Sequence, residues 1–151
     1  MVSIWLNIYV KQKDIEAFLS ELHTLLNDKS FDEDKQFVLI RSRKSDIKHS
    51  TPYTLADLEY DTSDVVARLR ELTVGEFSEV KVDTDDTNPP YLYVFGKQIE
   101  SRLVYIKIKT RENADSGDTV ICVSFHYPED AMEFPFSEDK NPAKEGKNDA
   151  K

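Results

Sequence analysis

The amino-acid sequence predicts an α+β fold in which helices pack on one face of a small antiparallel β-sheet. Apolar residues at helical spacing occupy the first half of the chain, whereas two long runs with strand-type alternation, 102–110 and 119–126, lie in the second half. Helices and antiparallel strands that are segregated along a chain are typical of this class. The length of 151 residues fits one domain.

The first half of the chain is expected to contain a strand, a helix and a second strand. Apolar residues alternate over 4–10, which indicates a strand, although the apolar residues between them leave a helical start open. The pattern over 14–28 predicts an amphipathic helix, and residues 37–43 predict a short strand.

The middle of the chain is expected to be helical. A broken helical region follows Pro52, and Asp61 is a good N-cap for a helix over the apolar positions 65–72. Thr73 and Glu76 have the spacing of a capping box, which predicts a short helical turn.

The C-terminal part is expected to form a three-stranded antiparallel meander. Residues 83–90 are rich in Asp, Asn and Pro and predict a loop. A strand over 91–95 and a turn over 96–101 precede the two long strands. We expect a single domain over 1–136 and a disordered polar tail over 137–151, because the tail has no aromatic, Leu, Ile or Val side chain.

Alternation along the two long strands predicts a face that could carry chemistry. We expect Val104, Ile106, Ile108, Ile121, Val123 and Phe125 on the core face and Tyr105, Lys107, Lys109, Cys122, Ser124 and His126 on the exposed face. A tyrosine, lysines and a histidine together can transfer protons and hold a phosphate. Lysines are also the ordinary composition of a solvated sheet face, so a face without a site stays open as an interpretation.

Net charge and composition limit the partners. A formal net charge of −9 repels bare nucleic acid, so RNA binding would need a local basic patch. The candidates for that patch are Lys97, Arg102, Lys107, Lys109 and Arg111. Three scattered histidines and the single Cys122 offer no metal-ligand spacing, so we expect neither metal nor cofactor. No apolar run is long enough to span a membrane and no signal peptide is evident, which predicts a cytoplasmic protein.

Four short segments carry a resemblance to a known family. They are Thr62-Ser-Asp-Val-Val66, Tyr93-Val-Phe-Gly-Lys97, Val104-Tyr-Ile-Lys-Ile108 and Val123-Ser-Phe-His126. In order and spacing, the stretch 62–136 resembles the MqsR-family toxins of bacterial toxin–antitoxin systems. The resemblance implies a RelE-like fold, an endoribonuclease that cuts messenger RNA, in many relatives on the ribosome, and a cognate antitoxin partner.

The resemblance also assigns roles to residues. Tyr105 falls on the family's tyrosine and His126 falls where relatives carry a basic residue, so these two are the candidate catalytic residues. The candidate phosphate-binding residues are Lys97, Arg102, Lys107 and Lys109. Glu79, however, stands where many members carry a lysine, and the family's Trp-Gln segment is absent. The leading hypothesis is therefore a ribonuclease toxin, and the alternative is a non-catalytic, toxin-like module that binds a partner protein.

Overall fold

The computed structural model describes residues 10–42 and 46–138. These residues form four α-helices, two 3-10 turns and five β-strands. The helices are α1 Gln12–Leu26, α2 Glu33–Gln36, α3 Thr51–Leu58 and α4 Thr62–Leu69, and the 3-10 turns are Ile47–His49 and Val74–Glu76. The strands are β1 Phe37–Leu39, β2 Phe77–Val82, β3 Tyr91–Ile99, β4 Arg102–Arg111 and β5 Thr119–His126.

The five strands form one mixed sheet in the order β1-β5-β4-β3-β2. Strands β2 to β5 are an antiparallel meander, and β1 is parallel to β5. The α+β class and the meander of β3, β4 and β5 are confirmed. The prediction of a wholly antiparallel sheet is wrong because β1 pairs in parallel, and β2 was not predicted.

The predicted helical elements are present. Helix α1 buries an apolar stripe that begins at Ile15 and ends at Leu26. Asp61 caps α4 by accepting a hydrogen bond from the Asp64 amide at 3.1 Å. The Thr73 amide donates to the Glu76 carboxylate at 3.0 Å, which closes the predicted capping box.

The hydrophobic core lies between the helices and one face of the sheet. Buried residues of α1, α3 and α4 share one cluster with inward residues of β3, β4 and β5, such as Phe95, Ile106 and Phe125. This face is called the helix face below, and the other is called the open face. Val104, Ile106 and Ile108 lie on the helix face as predicted and are completely buried.

The turn between β3 and β4 is shorter than predicted. Strand β3 continues to Ile99, and only Glu100 and Ser101 form the turn, with φ of 53° and 70°. Two-residue hairpin turns need such left-handed conformations, which Asn and Gly usually supply. The sequence lacks that signal, so the predicted turn was too long.

A β-bulge in β5 changes the predicted faces. Lys107 pairs with Ser124, but Ile108 pairs with Cys122, so Val123 is an extra residue on β5. Cys122 is therefore buried in the core, whereas Val123 lines the open face. The predicted positions of Cys122 and Val123 are wrong because a bulge interrupts the period of two, and Ile121 likewise lies outside the core cluster.

Two segments cover parts of the open face. The loop 83–90 lies over one end of it, and the C-terminal strap, residues 128–138, crosses the other end from β5 towards β2. The Ser78 hydroxyl donates to the Glu133 carbonyl at 2.7 Å, and the Phe136 ring stacks on Phe77 at 5.6 Å. A Cβ on Gly96 would lie 2.7 Å from the Phe134 ring, so the strap requires glycine there.

Several predictions lie outside the described residues. Residues 4–9 of the first strand predicted over 4–10, and residues 139–151 of the polar tail predicted over 137–151, are not described. Val10 packs against the core and is not part of a strand. Within 10–42 and 46–138, no helix has the length and apolar character needed to cross a membrane.

Candidate functional site

A groove on the open face, called the open-face groove, is the candidate site. It lies between the loop 83–90 and the C-terminal strap and has a volume of about 670 Å³. Its polar lining residues are Ser42, Ser78, Glu79, Lys81, Asp85, Tyr105, Lys107, Ser124, His126, Glu129, Asp130 and Glu133. Pockets of this size hold small ligands or parts of larger ones.

Strand register brings the groove residues together. Glu79, Val94, Lys107 and Ser124 are successive partners across β2, β3, β4 and β5. The next row contains Gly96, Tyr105 and His126. Side chains of paired residues lie on the same face, so these two rows form the floor of the groove.

The predicted catalytic pair is in contact, but His126 is not exposed. Its ring stacks on Tyr105 with centroids 5.0 Å apart and planes 10° apart. His126 is 4% exposed because Tyr105 covers its ring and the chain turns directly into the strap. The expectation that His126 lies on the solvated surface is wrong, and its catalytic role stays a prediction.

A hydrogen bond fixes the orientation of the His126 ring. Nδ1 lies 2.9 Å from the Tyr127 carbonyl oxygen, which can only accept, so Nδ1 carries a proton. The Nε2 atom is buried. A substrate therefore cannot reach it without movement of the strap or of Tyr105.

Tyr105 is held in its neutral form. Burial and, to a smaller extent, the negative charge of Glu79 raise the pKa of Tyr105 to about 12. Its hydroxyl is therefore protonated at physiological pH and can donate a hydrogen bond or a proton.

Glu79 and Lys81 are site residues that sequence reasoning did not select. Both lie on β2 and line the groove, and the Lys81 Nζ is 3.9 Å from the Glu79 carboxylate. The run 79–82 alternates charged and apolar residues, and a strand there would place both charges on the face opposite Val80 and Val82.

Two of the predicted phosphate-binding residues lie on the helix face. Lys97 pairs with Val104 and forms ion pairs with Glu76 at 3.2 Å and Glu71 at 3.6 Å. Lys97 therefore lies on the face opposite Tyr105, because its strand position places it beside the inward Val104.

Arg102 also makes its contacts outside the groove. It forms an ion pair with Asp57 of α3, and its guanidinium carbon lies 4.6 Å from the centre of the Tyr127 ring. The hydrogen bond from Tyr127 and, to a smaller extent, that from Arg102 lower the pKa of Asp57. This cluster joins α3 to the sheet, so Arg102 is not available in the groove.

Lys109 is on the open face but is buried. Its Nζ donates to the Asp83 carboxylate at 2.7 Å, the Asp86 carbonyl at 2.9 Å and the Pro89 carbonyl at 3.1 Å. The predicted exposure of Lys109 is wrong because the loop 83–90 folds over it. Arg111 donates to the Asn88 carbonyl of the same loop.

The described residues that line the groove are mainly acidic. Among them, Lys81 and Lys107 face five carboxylates, those of Glu79, Asp85, Glu129, Asp130 and Glu133. Within the described ranges, no cluster of His, Cys, Asp and Glu side chains could hold a metal ion. The polar groups that line the groove include carboxylates, ammonium groups and the Tyr105 phenol.

No known protein family, curated protein or solved structure matches the chain.

Proposed function

We propose that this protein is an endoribonuclease toxin with a RelE/MqsR-like fold, which cleaves messenger RNA in the cytoplasm and is controlled by a cognate antitoxin. The observation that carries the proposal is the assembly of Glu79, Tyr105 and Lys107 on neighbouring strands of one groove. A carboxylate can accept a proton, a neutral phenol can donate one, and an ammonium group can stabilise negative charge on a phosphate.

The proposed reaction is an attack of the ribose 2′-oxygen on the adjacent phosphorus. Glu79 accepts the proton of the 2′-hydroxyl, the new P–O2′ bond forms, and the P–O5′ bond breaks. Tyr105 donates a proton to the departing 5′-oxygen, so the products are a 2′,3′-cyclic phosphate and a 5′-hydroxyl. His126 supports the ring of Tyr105 by stacking and acts as a positioning residue.

Lys107 and Lys81 are the proposed phosphate-binding groups, because both line the groove. Their charge is opposed by the surrounding carboxylates, which weakens binding of free RNA. A messenger RNA that is already held on the ribosome needs less affinity from the toxin itself. We therefore expect cleavage to be faster on ribosome-bound messages than on free RNA.

The acidic lining favours a second candidate function. A non-catalytic module could use the same five carboxylates to bind a basic segment of a partner protein. In that case Glu79 and Tyr105 contribute to binding, and no RNA is cut.

Expression in bacterial cells, together with cleavage of ribosome-bound messenger RNA by purified protein, tests the proposal. The wild type should arrest growth and cut messages, and Tyr105→Phe or Glu79→Gln should reduce cleavage about 100-fold or more, since each removes one proton-transfer group. Tyr91→Phe and Glu112→Gln are matched controls outside the groove and should cleave at the wild-type rate.

Glu79→Lys distinguishes two interpretations of this position. If Glu79 is the proton acceptor, lysine should abolish cleavage. If Glu79 merely replaces a lost phosphate-binding lysine, Glu79→Lys should increase cleavage. A wild-type protein that neither arrests growth nor cuts RNA with ribosomes present would contradict the ribonuclease and favour the binding module.

A further inference from the structure

Among the described residues, one edge of strand β1 has no partner strand. This strand is the last strand in the sheet and pairs with β5 alone among the described residues. The Ile40 amide donates to the Cys122 carbonyl at 2.9 Å, so the backbone groups of Leu39 and Arg41 point away from the sheet. Such an edge can pair with another strand.

Apolar side chains accompany this open edge on one face. Val38 is 45% exposed and Ile40 is 38% exposed, and they are two of the five large exposed hydrophobic residues in the described part of the chain. Natural edge strands are usually protected by charged residues, by proline or by a covering segment. An apolar edge strand is therefore suited to contact with another polypeptide.

Carboxylates lie beside β1 on the other face of the sheet. A shallow cleft of about 380 Å³ lies there, lined by β1 together with α2 and the start of α4. Glu33, Asp34 and Asp61 contribute three negative charges, and Arg41 contributes one positive charge. A strand that pairs with β1 would therefore meet apolar residues on one face and mainly negative charge on the other.

We propose that the β1 edge is a docking site for an extended segment of a basic partner protein. The segment adds a strand to the sheet, with Val, Ile or Leu side chains against Val38 and Ile40 and with Lys or Arg side chains in the acidic cleft. The net charge of −9 attracts a basic partner over long range. This charge and the acidic cleft also disfavour pairing with a second copy of the chain.

The proposal does not depend on ribonuclease activity, and it can be tested with a defined probe. The probe is the labelled peptide Val-Lys-Val-Lys-Ile-Lys-Val, whose binding is followed by fluorescence anisotropy. The control peptide replaces each lysine by glutamate. We expect the lysine peptide to bind at least about tenfold more tightly than the glutamate peptide, because close charges of opposite and like sign differ by this amount or more.

Variants locate the binding site. Val38→Lys and Asp34→Asn should each weaken binding of the lysine peptide about 5- to 10-fold, since each removes a contact from one face of the added strand. Val82→Lys is the matched control, because Val82 is 43% exposed on the strand at the opposite edge of the sheet. It should bind the peptide like the wild type.

Hydrogen exchange of the Leu39 and Arg41 amides completes the test. Both amides should exchange rapidly in the free protein and slowly when the peptide is bound. Equal binding of the two peptides, or wild-type binding by Val38→Lys, would overturn the proposal. Slow exchange without peptide would also overturn it, because either a second copy or another part of the chain would then occupy the edge.

Discussion

At the residue scale, strand position and loop cover decide which basic side chains of the sheet lie in the groove. Lys97, Arg102 and Lys109 are each bound to a carboxylate of a neighbouring segment. Lys107 and Lys81, whose Nζ is 3.9 Å from the Glu79 carboxylate, line the groove. Sequence alternation could assign a face to each strand residue, but it could not show that the loop 83–90 covers Lys109. Tyr105 and Lys107, two of the predicted site residues, line the groove, and so do Glu79 and Lys81, which the sequence analysis did not select.

Removal of Lys109 should destabilise the protein. Lys109→Met leaves the buried carboxylate of Asp83 without its cation, which costs about 3 kcal/mol in the free energy of unfolding. Urea unfolding measures this cost, and Lys81→Met is the control, because Lys81 is half exposed and should change the free energy by less than about 0.5 kcal/mol. A loss below about 1 kcal/mol for Lys109→Met would show that the loop 83–90 does not depend on this ion pair.

Cys122 should be chemically inert in the folded protein. Burial raises the pKa of its thiol to about 12, so almost no thiolate is present at neutral pH. A thiol reagent at pH 7 should therefore label the native protein only as fast as it unfolds and should label the urea-unfolded protein at once. Rapid labelling of the native protein would place Cys122 outside the core.

At the element scale, the C-terminal strap packs into the space that the missing side chain of Gly96 leaves on β3. Gly96→Val would place side-chain atoms within 2.7 Å of the Phe134 ring and 3.1 Å of the Met132 sulfur, so the strap must move. We expect a loss of about 1–3 kcal/mol in stability and faster proteolysis within 128–138. Gly75→Ala is the control, because its Cβ would contact Ser137 at an ordinary 3.7 Å. If protease digested Gly96→Val as slowly as the wild type, the packing of the strap against Gly96 would not hold it in place.

The elements themselves were largely predictable from local signals. The apolar stripe of α1, the Asp61 cap and the capping box at Thr73 all define structure within a few neighbouring residues. The parallel pairing of β1, the bulge at Val123 and the path of the strap depend on contacts between distant parts of the chain. Periodicity carries no information about such contacts, so these features were not predicted.

At the scale of the whole molecule, stability should fall at acid pH. The pKa is lowered for the side chains of Asp28, Asp57, Asp83 and Asp86. Because these folded-state pKa values lie below the unfolded value of about 3.9, the unfolded chain binds more protons as the pH falls. Their contribution is therefore complete above about pH 4 and is lost at lower pH.

Urea midpoints measured from pH 7 to pH 3 test this dependence. We expect these four groups to change the midpoint little above about pH 5 and to lower it below about pH 4. Asp83→Asn should show a weaker acid dependence than the wild type. A midpoint that rises on acidification below pH 4 would contradict the direction of these pKa shifts.

We propose that Glu79 and Tyr105 transfer protons during cleavage of RNA in the open-face groove. Analysis of the RNA ends produced by the wild-type protein on ribosome-bound messenger RNA tests this claim most directly. Attack by the 2′-oxygen predicts a 2′,3′-cyclic phosphate on the upstream fragment and a 5′-hydroxyl on the downstream fragment. A 3′-hydroxyl with a 5′-phosphate, or intact RNA, would contradict it.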